Sequence, residues 1–110
     1  MKIALLGDIA FFGRFCITKN KNIFEQLESL KDYLSSFDFV VGNLETPFSD
    51  KEKPIWGKSA TIKAHPDNIE VLKWLGITHV TLANNHMGDY GSKAFKRTKQ
   101  LLESKEINWY

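Results

Sequence analysis

His86 and Asp89 stand three residues apart in the stretch Asn84-Asn85-His86-Met87-Gly88-Asp89-Tyr90-Gly91. An imidazole can ligate a metal or act as a general acid near neutral pH. A carboxylate three residues on can orient that ring, or shape a turn with Gly88 and Gly91. Asn84 and Asn85 place two amides directly before the histidine. Earlier in the chain, Asp8 follows Gly7, and Asn43 and Glu45 follow Gly42. Residues two apart in extended chain point the same way, so Asn43 and Glu45 can face one site. A carboxylate with an amide oxygen suits a hard or borderline cation such as Mg²⁺, Mn²⁺ or Ca²⁺. Arg14, next to Gly13, can reach an anion such as phosphate. Each residue alone has a plain structural reading as a cap, a turn residue or a surface charge. Their recurrence at three similar places in the chain is what points to a site.

Those places are the ends of apolar runs. Ile3–Leu6 reads as a strand buried on both faces and stops at Gly7-Asp8. Phe37–Val41 is a second strand that ends in Gly42-Asn43, and Ile77–Ala83 is a third that ends in Asn84-Asn85. Between them, Ile23, Leu27, Leu30 and Leu34 form one face of an amphipathic helix, with Asn22 and Glu25 spaced as a capping box. Pro66 suits a first helical turn, Ile69, Leu72 and Leu75 supply its buried face, and Gly76 is a stop of the left-handed type. Ser92 can cap a last helix whose inner face is Phe95, Thr98, Leu101 and Leu102, and Ile107–Tyr110 begins a fourth strand. The alternation predicts a three-layer α/β fold with a mostly parallel sheet and helical crossovers. Ligands of such sheets bind outside the carboxyl ends of the strands. Asp8, Asn43, Glu45, Asn85 and His86 are therefore expected to converge on one rim. The long polar segment 46–60, with Pro47, Pro54 and Gly57, is expected to be functional or mobile, and Thr61-Ile62-Lys63 to be a short extended piece.

Composition bounds the function. A chain of 110 residues with 43% hydrophobic content is at most one folded domain, and a net charge of +2 gives no nucleic-acid footprint. Lys19, Lys21, Lys51, Lys53 and Lys58 read as solvated loop charges. Cys16, the only cysteine, has no partner for an internal disulfide and no obvious paired base. His65, before Pro66, and His79, at the start of a strand, are set aside. The apolar run after Met1 is too short for a signal peptide or a membrane span, so the chain as it stands reads as cytoplasmic. Phosphate-loop, dinucleotide and nucleophile-elbow patterns are absent. The stop just after a fourth strand begins suggests that residues 1–110 are a single partial domain, and a complete small domain is the other reading.

Gly7-Asp8-Ile9 with Gly13-Arg14, then Asn43-Leu44-Glu45-Thr46-Pro47, then Leu82-Ala83-Asn84-Asn85-His86 with Asp89-Tyr90-Gly91, resembles the capsule-synthesis CapA family. That family serves poly-γ-glutamate capsule biosynthesis and has a fold similar to the calcineurin-like metallophosphoesterases. The resemblance implies the N-terminal half of such a domain and a metal-dependent hydrolase module. It implies a divalent ion, Mn²⁺ or Mg²⁺, held by Asp8, Asn43, Glu45 and Asn85. His86 would assist at the phosphoryl group with Asp89 beside it, and Arg14 and Asn84 would meet a small-molecule or polymer substrate. Ala10 stands where the phosphoesterases carry a metal-binding histidine, and Asn43 is neutral where they carry a bridging aspartate. A non-catalytic binding or assembly protein on the same fold is the alternative. A homo-oligomer, or association with a missing second half, is the expected partnership.

Overall fold

The computed structural model describes all 110 residues. Four strands form one sheet: β1 (Ile3–Ile9), β2 (Phe39–Leu44), β3 (His79–Thr81) and β4 (Asn108–Trp109). They lie in the order β1-β2-β3-β4, and every neighbouring pair is parallel. The helices are α1 (Ile23–Gln26), α2 (Glu28–Leu34), α3 (Ile69–Trp74) and α4 (Gly91–Ser104). This is the expected α/β arrangement of a parallel sheet with helices between its strands. The helices lie in the connections between consecutive parallel strands, and their buried side chains pack against a face of the sheet.

That face is the core. Ala4, Val40, Leu44 and Val80 point into it and pack with Ile23, Leu34, Val71, Leu72 and Leu102. The alternate positions of the same strands lie on the other face, where Leu5 is 80% exposed and Ile3 and Phe39 are exposed. β1 is therefore buried on one side only, and an apolar run of this kind does not by itself say which side is covered.

Several local expectations change in detail. β1 continues through Gly7 and Asp8 to Ile9, with a register shift against β2 between Leu5 and Asp8. Asp8 is thus a strand residue and not a terminator. Asn22 makes no side-chain capping bond, its N–H, which Glu25 would take in a capping box, goes to Asn20 Oδ1 at 3.0 Å, and the helical stretch breaks at Leu27 into α1 and α2. Leu30 is exposed. Ser92 lies inside α4, and Tyr90 precedes that helix without a side-chain cap. Residues 61–63 form no strand, and the bridge in this part of the chain joins Phe48 to Ala64. Pro66–Asn68 is a short 3₁₀ turn ahead of α3, and His65 Nδ1 accepts the Asp67 N–H at 3.1 Å to start it. Gly76 takes φ +84° and ends the α3 region, as its position predicts.

No helix is long and apolar enough to cross a membrane.

Candidate functional site

Register sets the first group of contacts. Asp8 lies opposite Asn43, and Asn43 lies opposite Thr81, so three side chains form a row across β1, β2 and β3. Asn43 Nδ2 donates to Asp8 Oδ1 at 2.8 Å, and Thr81 Oγ1 donates to Asn43 Oδ1 at 3.0 Å. Asn84 joins from the loop after β3. Its Nδ2 donates to Asn43 Oδ1 at 3.1 Å and to the Leu44 carbonyl at 2.8 Å. Its Oδ1 accepts the backbone N–H groups of His86 and Met87, both at 3.0 Å. The Asn84 amide is fully used, and it fixes the His86 backbone relative to the row.

The second group centres on Asp89, whose side chain is fully buried. Oδ2 accepts from His86 Nδ1 at 2.7 Å and from the Ile62 N–H at 2.8 Å. Oδ1 meets the Lys58 ammonium, which also reaches the Asn85 carbonyl. The Asp89 carbonyl accepts the Ile55 N–H at 2.8 Å. Burial pushes the carboxyl pKa up, but the bonds from Lys58, His86 and Ile62 outweigh it and hold the group below its ordinary range. An ionised Asp89 can only accept, so His86 carries its proton on Nδ1, and in the neutral ring Nε2 keeps its lone pair. The His86 side chain is 18% exposed, which leaves the ring accessible at one edge. The arrangement is an imidazole held in one tautomer by a buried carboxylate, with a lysine on the far side. It can accept or deliver a proton.

The expected residues thus fall into two linked groups: Asp8, Asn43 and Asn84, and His86 with Asp89. Glu45 follows β2 with its N–H on the Ile9 carbonyl at 3.0 Å, and Asn85 is exposed. Arg14 is exposed in a short 3₁₀ turn, with its guanidinium 5.7 Å from the Phe15 ring centroid. Two residues escape a sequence reading. Thr81 looks like an ordinary strand residue, and only the sheet register brings it to Asn43. Lys58 reads as solvated charge, yet its side chain is 28% exposed and it ends on a buried carboxylate. A lysine in a long loop upstream of a turn aspartate carries no local signal of that pairing.

Asn43 does not fit the part of a divalent-ion ligand. Asn43 Oδ1, one of the two amide oxygens expected to meet an ion, already accepts two hydrogen bonds, and Nδ2 faces Asp8 instead. No three His, Cys, Asp or Glu side chains come together in a group that could hold an ion. Asp89, the best-anchored carboxylate, is occupied by Lys58, His86 and Ile62.

A family model described as bacterial capsule synthesis protein PGA_cap matches residues 2–110. A capsule biosynthesis protein CapA from Bacillus anthracis is 32% identical over 80 residues, 70% of this chain and 20% of that protein. A PGA biosynthesis protein CapA from Bacillus subtilis is 28% identical over 101 residues, 89% of this chain and 26% of that protein. The chain thus spans about a fifth to a quarter of the length of these curated relatives.

Proposed function

The chain belongs to the bacterial capsule synthesis protein family, and from that premise we propose that it is a hydrolytic module of capsule biosynthesis in which His86 moves the proton. The substrate class is a phosphoester or a polymer-linked ester. The observation that carries this reading is the His86–Asp89 pair at 2.7 Å, with Asp89 buried and ionised. A fixed tautomer with a free Nε2 serves general acid–base chemistry, because the ring needs no reorientation before proton transfer. Lys58 holds Asp89 in place from the 46–60 segment, and Asn84 holds the His86 backbone.

A second reading, a non-catalytic assembly or binding module on the same fold, is favoured by one observation. The amides of Asn43 and Asn84 are spent on internal bonds and are not presented to a ligand.

The test is slow turnover of a chromogenic phosphodiester by the purified chain, compared with His86→Ala and Asp89→Asn. The hydrolytic reading expects His86→Ala to fall by about 10²-fold or more. Asp89→Asn should fall less, because the amide still accepts the imidazole hydrogen. Turnover unchanged in His86→Ala, or absent in the parent chain, leaves the assembly reading in its place.

A further inference from the structure

Where residues 51–53 meet the start of α4, the surface folds into a cavity of about 460 Å³. Lys51, Lys53 and Lys93 line it, with Glu52, Tyr90 and Ser92. Glu52 is the one acid in the wall, and it is already engaged. One oxygen takes Arg97 at 3.0 Å and the other takes the Ser49 hydroxyl at 2.9 Å. The three lysines stand outside the ion pairs of the chain, which use Lys58, Lys105, Arg97 and two histidines. A fourth ammonium, that of Lys63, lies 5.0 Å from the Tyr90 ring centroid.

The local field is as one-sided as the lining. α4 presents the positive end of its dipole here, with no side-chain cap and no acid in its first turn. Lys93 adds a cation where an anion would be favourable. Lys96, Arg97 and Lys99 follow before the first acid of the helix, Glu103. Arg97 is shared by Asp50 and Glu52, which leaves one negative charge beside the cavity against the three lysines, so the concavity keeps an excess of positive charge.

We propose that this cavity binds a small, multiply charged anion bearing two or more phosphate or carboxylate groups. Lysine is a point charge on a flexible stem, so it accepts either oxyanion and does not demand a planar, bidentate partner. Ammonium groups from two separate segments, 51–53 and 93, favour more than one anionic group on the ligand. The site is distinct from the His86 chemistry and does not rest on it.

The test is a ¹H–¹⁵N titration of the chain with pyrophosphate and, separately, with citrate, at low salt and at about 0.15 M salt, where exposed charges are screened beyond roughly 8 Å. Saturable shifts confined to residues 51–53 and 90–93, persisting at the higher salt, are expected. Lys53→Glu with Lys93→Glu should weaken binding by about tenfold or more, and the neutral pair Lys53→Gln with Lys93→Gln by less. Lys19→Glu with Lys21→Glu, an equal change of charge on another loop, should leave affinity intact, as should His86→Ala. Saturation by pyrophosphate alone assigns a phosphate ligand, and by citrate alone a carboxylate. Shifts scattered over all lysines, or equal loss in the Lys19/Lys21 control, overturn the site and leave only attraction to net charge.

Discussion

The Lys58 ammonium meets the carboxylate of Asp89, whose side chain is fully buried, across 31 residues of sequence. The same carboxylate holds His86 and the Ile62 N–H, and the Asp89 carbonyl holds Ile55. One aspartate thus ties the 55–62 segment to the loop that carries the histidine. Segment 46–60 is anchored at its far end and is not simply a free surface loop.

Removing the charge at this hub should be costly. In Asp89→Asn, Lys58 loses its partner while the amide still accepts from His86 and Ile62. The ammonium left behind is partly exposed and keeps the Asn85 carbonyl, so the loss should be about 1–3 kcal/mol. Lys58→Met should cost more, roughly 3–5 kcal/mol, because it leaves the fully buried Asp89 carboxylate with only the His86 and Ile62 donors. Denaturant unfolding gives the totals. Amide exchange should quicken at Ile55 and Ile62 before it does in β1 and β2, and uniform quickening would show that Asp89 has no local role.

Acid should expose the same group. Asp89 has a folded-state pKa below its unfolded value, so in acid the native state binds fewer protons than the unfolded chain. Its contribution is present above the ordinary carboxylate range near pH 3.9 and is lost as pH falls through the depressed folded value. Stability measured by urea from neutral pH downward should decline more steeply in the parent than in Asp89→Asn. Parallel curves would contradict the assignment.

The apolar face opposite the helices predicts dye binding by the native chain. Leu5 at 80% exposure and exposed Phe39 form part of it. Leu5→Lys should lower the fluorescence of a hydrophobic probe and reduce any concentration-dependent association. Its effect on stability should stay within about 0.5 kcal/mol, as for a surface substitution. A large loss of stability would mean that the face is covered in solution.

Gly42 tests the packing beneath the site. A Cβ there would lie 2.4 Å from Ile9 Cδ1 and 3.1 Å from Ile9 Cγ1. Gly42→Ala should destabilise by about 1–3 kcal/mol through overpacking. Ile9→Ala in the same chain should recover part of that loss, because the atoms in conflict belong to a side chain. A double-mutant cycle with zero coupling would refute the contact.

The sequence alone determined what is periodic or local. Apolar runs marked three strands, and the intervening helical faces made the sheet parallel, as β1, β2 and β3 are. Gly76 announced its turn because only a residue without Cβ adopts φ +84° freely. The pairing of His86 with Asp89 was also legible, since a spacing of three residues in a turn brings the groups within reach. Tertiary structure decided the rest. Thr81 meets Asn43 because of strand register, Lys58 meets Asp89 because of the path of a long loop, and Asn43 turns its oxygen inward because Asn84 arrives from another strand end. Which face of β1 stays open was likewise decided by packing, with Ala4 buried and Ile3 and Leu5 exposed. Local pattern fixes which residues are extended or helical. Partners distant in the chain are fixed only when loops close and strands align, and one residue of register would have moved every side chain in the row to the opposite face.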